Sequence, residues 1–365
     1  MPLESLCRLR IWDMSASNAA APGPLSAVFQ PVLRGCSPLR ASADGGARCH
    51  ILAGCLVLRG MSTLRVFVAG GSGTIGIPLV RALAEAGHHV TALTRSVDKQ
   101  QSLRALGATP AVADALDAAQ LYDVVLAARP THVIHQLTAL PKDGPRRASD
   151  LAATNRLRID GTRNLLQAAI AAGATRIIGG SFAPLHGIGA DAPAGVRAGL
   201  AAVQSMESQI LEASRAGTIE GVVLRYGLFY GPDTPTTVKM LALVRRRMLP
   251  VVRDDRGLLP CIHIDDAVSA ALAALDRGAP GAGYDIVDDR PVSMSEIARA
   301  MADYAGAPAP RTVPAWLPRL LSRYLATMTS LRLPLSNIEA KAALSWHPAF
   351  STIHEGLAQT IARAA

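Results

Sequence analysis

A chain of 365 residues, half of them apolar and 4% aromatic, suits two average domains or one large α/β domain with an appended lobe. No apolar run approaches the roughly 18–20 residues that span a bilayer, so a membrane-spanning helix is excluded. The formal net charge of +9 comes mostly from arginines scattered along helical stretches, with one run at Arg245, Arg246 and Arg247. Such a distribution reads as solvated surface rather than a nucleic-acid interface.

Residues 1–60 mix Pro, Ser, Gly, Ala and Arg without sustained periodicity, and are expected to be disordered. They read either as a mis-called extension ahead of a start at Met61 or as an Arg-bearing, acid-poor targeting peptide. Cys7, Cys36, Cys49 and Cys55 lie in this stretch, Cys261 lies alone in the remainder, and no Cys-x-x-Cys spacing occurs. The body of the chain therefore reads as reduced and cytoplasmic, with no disulfide and no metal site.

From residue 64 onward short β-branched runs alternate with Ala/Leu-rich helical stretches. Strands are predicted at 64–69, 89–94, 111–113, 132–136, 176–180 and 222–226. Helices are predicted at 75–86, 99–106, 118–127, 148–172 and 198–216. That alternation predicts a doubly wound parallel sheet, with the ligand crevice at the carboxyl ends of the strands. Past the Gly231-Pro232-Asp233 turn the segments shorten and proline becomes frequent. Residues 61–231 are thus expected to form a dinucleotide-binding domain, and 232–365 a smaller, mainly helical substrate lobe interleaved with it. In that lobe 314–330 reads as an amphipathic helix, with Trp316, Leu317, Leu320, Leu321, Tyr324, Leu325 and Met328 forming a core-facing stripe.

The first strand runs directly into Gly70-Gly71-Ser72-Gly73-Thr74-Ile75-Gly76. Gly70 permits a tight turn, Gly73 a close backbone approach to a pyrophosphate, and Gly76 helix–strand packing, while the amides at Thr74 and Ile75 open the helix. Exposed N–H groups at a helix start bind phosphate, so a dinucleotide is expected here. The second strand ends Thr94-Arg95-Ser96, with no acid for an adenosine ribose. A guanidinium at Arg95 suits a ribose 2′-phosphate and favours NADP over NAD, unless Arg95 is only a surface cation. Asp114, after the third strand, reads as an acceptor for the adenine amino group or as the cap of the next helix.

With these residues in place, the chain resembles the extended short-chain dehydrogenase/reductases, the NAD-dependent epimerase/dehydratase family. The segment Val133-Ile134-His135-Gln136-Leu137-Thr138-Ala139 is similar to the family's fourth strand, which implies that Leu137, Thr138 and Ala139 lie along the cofactor. Gly161-Thr162-Arg163-Asn164-Leu165-Leu166 resembles its Gly-Thr-x-Asn-Leu-Leu helix. The stretch from Leu224-Arg225 to Tyr230-Gly231-Pro232 resembles its turn toward the nicotinamide and implies a place for Tyr226 there. Ile262-His263-Ile264-Asp265-Asp266 resembles its Ile-His-Val-Asp-Asp helix start, in which an Asp caps the helix.

The resemblance implies a catalytic Tyr with a Lys four residues on, the Tyr acting as general acid/base. Neither residue occurs between Val196 and Ile210, where the pair belongs. Ser181-Phe182-Ala183 with His186-Gly187 resembles the family's serine segment, leaving Ser181 and His186 as the candidate catalytic groups, the latter able to carry a proton near neutrality. An apolar run, Leu258-Leu259-Pro260-Cys261, stands where nucleotide-sugar members carry a diphosphate-binding Arg, which leaves Arg253, Arg256 and the 245–247 run as the candidate substitutes for it. The chain thus reads as an NAD(P)-dependent oxidoreductase or epimerase/dehydratase-like protein acting on a small molecule, with a non-catalytic NADP-binding regulator or redox sensor as the alternative. The family's habit of pairing through two long helices implies a homodimer through 148–172 and 198–216.

Overall fold

The computed structural model describes residues 63–141, 145, 147–317 and 331–364. The reading of residues 1–60 and most of the predicted 314–330 helix lie outside them. A seven-stranded sheet organises the rest. Along the chain come β1 (Arg65–Ala69), α1 (Gly76–Glu85), β2 (His89–Thr94), α2 (Gln100–Ala105), β3 (Thr109–Val112), α3 (Ala118–Ala128) and β4 (His132–His135). After them come α4 (Ala152–Arg156), α5 (Thr162–Ala171), β5 (Arg176–Phe182), α6 (Ala194–Arg215) and β6 (Glu220–Tyr226). Then follow β7 (Leu228–Tyr230), α7 (Pro235–Arg245), β8 (Val251–Val252), β9 (Cys261–His263), α8 (Ile264–Arg277) and β10 (Gly283–Ile286). The chain ends with α9 (Met294–Tyr304), β11 (Thr312–Val313), α10 (Ile338–Leu344) and α11 (Ile353–Ala364).

The sheet order is β10-β6-β5-β4-β1-β2-β3, and every pairing in it is parallel. The order in which strands are added reverses between β1 and β4, the switch point at which such sheets open a crevice. Alternate residues face opposite helical layers. Val66 and Val68 of β1 pack with Leu79, Val80 and Leu83 of α1 and with Ala267 and Ala271 of α8. Phe67 and Ala69 pack with Leu121 and Val125 of α3, Leu165 of α5, and Met206 and Ile210 of α6. Both faces are covered, which is why these strands read as continuous apolar runs.

Two departures from the expected elements bear on the site. The seventh strand, β10, comes from beyond Gly231 and pairs with β6, so the main sheet draws on the segment expected to form the smaller, interleaved lobe. Its four residues, Gly-Tyr-Asp-Ile, are too few to show a strand period. The helix expected over 148–172 is instead broken: between α4 and α5 the segment Leu157–Gly161 opens into a π turn. In a regular helix the eight residues from Thr154 to Thr162 would turn the second hydroxyl about 80° away from the first. The π turn absorbs one residue and returns both to one face, where Thr154 Oγ1 accepts the Ala139 N–H (3.0 Å) and Thr162 Oγ1 meets His135 Nε2 (2.8 Å).

Candidate dinucleotide and acceptor site

At the switch point the β1–α1 turn has no room for side chains. Gly70 has φ +92°, and a Cβ there would lie 2.5 Å from the Gln136 carbonyl oxygen on β4. A Cβ on Gly76 would overlap the Gly70 carbonyl oxygen. The turn is closed by the Gly73 N–H donating to the Gly70 carbonyl (3.0 Å). Ile75, at the N-cap of α1, makes no side-chain capping bond, and the first turn carries no acid. Thr74 is exposed while Ile75 and Gly76 are buried, so what this turn offers outward is backbone amide. These residues fit a pyrophosphate.

At the end of β2, Thr94 is buried and its hydroxyl bonds to Ser72 Oγ (3.1 Å) and to the Ser96 N–H (3.2 Å). Arg95 is exposed beside them, and Lys99 Nζ reaches the Ser72 carbonyl (3.2 Å). Two cations and three hydroxyls thus gather at this corner. Ser72, Ser96 and Lys99 were not singled out from the sequence, since each reads alone as a surface residue. Asp114 Oδ1 accepts the Leu116 N–H (3.0 Å) and shapes the turn after β3. The cap of α3 is Asp117, which accepts the Gln120 N–H, so the capping alternative for Asp114 is corrected.

Past β4 the chain continues through Leu137, Thr138 and Ala139, with the Leu137 and Ala139 N–H groups donated to His135 and Thr154. His135 is fully buried, and its Nδ1 accepts the Leu137 N–H (3.2 Å), so Nε2 carries the hydrogen toward Thr162. Burial, helped by Arg158, lowers its pKa to about 4, and the ring is neutral at physiological pH. Tyr226 is buried at 2% exposure with its phenol bonded to Gln136 Nε2 (3.3 Å), and burial pushes its pKa well up. That phenol stays protonated near neutrality.

The structure brings the two catalytic candidates, Ser181 and His186, together on a third residue. Ser181, at the end of β5, donates from Oγ to Glu207 Oε1, and His186 Nε2 meets the same oxygen at 2.8 Å. Glu207 Oε2 accepts from Arg225 Nε on β6 (2.9 Å). Burial alone would raise the Glu207 pKa, but His186, Ser181 and Arg225 together carry it below the ordinary value. Glu207 is an ionised carboxylate inside the protein, at 5% exposure. Sequence reading missed it, although a signal was available: it lies on the α6 stripe that buries Val196, Gly199, Val203, Met206 and Ile210.

Gly199 and Val203, on the α6 face where a phenol and an ammonium were sought, meet Leu151 and Leu185 or join an apolar cluster with Leu259, Leu331 and Leu333. Phe182 and Leu200 border that cluster. The four lysines of the whole chain, at 99, 142, 239 and 341, each lack a Tyr four residues earlier. At α8 the expected Asp cap is corrected to His263, whose Nδ1 accepts the Asp265 N–H (3.3 Å). Asp266 instead accepts the N–H groups of Ala349 and Phe350.

Comparison with known proteins accords with this geometry. Residues 66–287 match the model of the NAD dependent epimerase/dehydratase family. A 3-diazoavenalumate denitrifying reductase of a Streptomyces species is 38% identical over 314 residues, 80% of this chain and 99% of the relative. A 2-alkyl-3-oxoalkanoate reductase of Stenotrophomonas maltophilia is 28% identical over 67% of this chain and 77% of its own length. The crystal structure of a Thermus thermophilus UDP-glucose 4-epimerase in complex with NAD superposes with a TM-score of 0.65 at 22% identity, covering 81% of this chain and 97% of the epimerase. The chain belongs to the NAD-dependent epimerase/dehydratase family and is an NAD(P)-dependent oxidoreductase or epimerase-like protein of that fold.

Proposed function

We propose that this protein is an NADP-dependent reductase whose acceptor takes a hydride without needing a proton from a phenol, the class to which diazo groups belong. The observation that carries this reading is the acceptor end of α6, apolar where a Tyr and a Lys would stand. His135, Glu207 and Ser181 do not replace them as acids. His135 is neutral, Glu207 is ionised, and Ser181 spends its hydrogen on Glu207.

Gly70, Gly73, Thr74, Ile75 and Gly76 would hold the pyrophosphate, Arg95 with Lys99 the 2′-phosphate, and Leu137 to Ala139 the flank of the cofactor. Bound there, NADPH supplies a hydride. A carbonyl that accepts hydride becomes an alkoxide and must gain a proton, which is the task of the usual Tyr. An arenediazonium that accepts hydride yields an arene and dinitrogen, and the equation balances with no proton. The diazo substrate in the name of the Streptomyces relative supports this choice of acceptor.

The test offers NADPH with benzenediazonium and, separately, with aldehydes and ketones, following NADPH absorbance and evolved dinitrogen. Protein-dependent dinitrogen release above the uncatalysed rate is the expected result. Turnover of carbonyls with none of the diazonium would overturn the acceptor class. Tight NADP binding with no turnover of either would favour the regulator.

A further inference from the structure

We propose that His186 presents a hydrogen-bond acceptor, ring Nδ1, to a hydroxyl on the substrate, and that Glu207 is the positioning residue that fixes this tautomer. The substrate class that follows is an acceptor bearing a hydroxyl, for which a phenol serves as probe. The proposal rests on the reductase reading only for the location of the acceptor pocket.

The argument begins with Glu207, which is ionised and so has only lone pairs to offer. Its Oε1 faces His186 Nε2 at 2.8 Å, so Nε2 must carry a hydrogen. In the neutral ring Nδ1 is then a lone pair. Among the described residues Nε2 is the ring atom engaged in a hydrogen bond, and the side chain is 27% exposed. Arg225 and Asp285 are the other charged groups around the ring, and they oppose each other in sign.

The ring borders an apolar part of the core. His186 lies in the turn after β5 (Ala183–Gly187), whose neighbours Leu185 and Ile188 belong to the apolar cluster with Leu259, Leu331 and Leu333. The space beside Gly187 is filled by the Leu333 side chain, so the 331–333 segment packs against this turn. A fixed lone pair beside apolar residues selects for one hydrogen-bond donor on the substrate, as sites built from a few placed polar groups do.

The two oxygens of Glu207 make the tautomer testable. Arg225 can only donate, so in Glu207→Gln the amide oxygen must face Arg225 and the NH2 must face Ser181 and His186. His186 Nε2 then becomes an acceptor, and the ring hydrogen moves to Nδ1. A role confined to bracing β5 and α6 would not reverse the ring.

The experiment measures binding of 4-methylphenol and its methyl ether, 4-methylanisole, to the NADP-loaded protein at pH 8, where both probes are neutral, with ¹⁵N NMR of the histidine ring alongside. Wild type is expected to bind the phenol about tenfold more tightly, the equivalent of one hydrogen bond. Its His186 spectrum should show hydrogen on Nε2. Glu207→Gln should move that hydrogen to Nδ1 and abolish the preference. His186→Phe keeps a ring in place, leaves Ser181 and Arg225 on Glu207, and should abolish the preference even if Glu207→Gln fails to fold. No preference in wild type, a preference surviving in His186→Phe, or hydrogen on Nδ1 in wild type would each overturn the proposal. None of these readouts needs turnover, so a failed reductase assay is a separate result.

Discussion

The two ends of the crevice are built on opposite principles. At the phosphate end the β1–α1 turn works by having nothing: no side chain on Gly70 or Gly76, no cap on α1, and no acid in its first turn. At the acceptor end the turn after β5 is crowded. Three side chains, from β5, the turn after it and β6, meet on one buried carboxylate of α6, beside a buried apolar cluster. A backbone-built site tolerates no change but is indifferent to pH. A side-chain-built site can be rewired one residue at a time, and its charge states set what it does. The family's shared property is carried by the first end and its departures by the second.

The sharpest way to break this contrast is at the turn itself. Gly70→Ala sets a Cβ against the Gln136 carbonyl at a left-handed φ, and is expected to weaken dinucleotide binding by about 100-fold or more, or to prevent folding. Calorimetric titration with NADP, paired with circular dichroism, separates the two outcomes. At the other end Glu207→Ala leaves the Arg225 cation and the Ser181 hydroxyl without their acceptor inside the protein. It is expected to lower stability by about 3 kcal/mol, measured by urea unfolding, while NADP affinity changes little. Arg95→Ala comes next: loss of a charge-assisted contact is expected to cost NADP about tenfold in affinity and NAD nothing. Equal losses for both cofactors would remove Arg95 from the 2′-phosphate subsite.

Carboxylates also make the contrast visible in pH. Glu207 has its pKa lowered by its donors, so its stabilisation is present above the unfolded value and is lost as pH falls through the folded one. Asp288 behaves in the opposite way. It is buried at 2% exposure, with the Tyr230 hydroxyl 3.0 Å from Oδ2, and burial raises its pKa to about 8. The folded protein therefore holds a proton there that the unfolded chain releases, and stability is eroded as pH rises from about 4 toward about 8. Asp288→Asn mimics the protonated form and is expected to raise Tm by several degrees at pH 8 and hardly at all at pH 4. A shift of the same size at both pH values would mean that Asp288 does not titrate in this window.

How much of this was legible follows from where each signal lives. The sheet was, because strands covered on both faces are apolar throughout and helices keep a 3.6-residue period; the β1–α1 turn was, because close backbone approach leaves glycine at fixed spacing. The missing phenol was legible as a plain absence between Val196 and Ile210. The grouping of Ser181, His186, Glu207 and Arg225 was not, since β5, its turn, α6 and β6 bring residues 181 to 225 together only in three dimensions. β10 escaped because four residues carry no period, and the π turn because an inserted helical residue leaves composition unchanged.

The smallest effect concerns two acids just before α3, of which the sequence reading weighed Asp114 alone. Asp117 accepts the Gln120 N–H at 3.1 Å from the N-cap position, whereas Asp114 Oδ1 accepts the Leu116 N–H within the turn after β3. Removing an N-cap typically costs about 1 kcal/mol, because a helix-start donor loses its partner. Asp117→Ala should therefore lower Tm by about 2–4 °C and leave NADP binding untouched, since that side chain serves α3 alone. Asp114→Asn keeps an oxygen for the Leu116 N–H, so the turn should persist at nearly full stability. If Asp114 also receives the adenine amino group, exchange of a carboxylate for an amide should weaken NADP binding about threefold to tenfold without moving Tm of the cofactor-free protein. Unchanged affinity would confine Asp114 to shaping the loop, and the adenine would then be held by the apolar walls and backbone of the crevice.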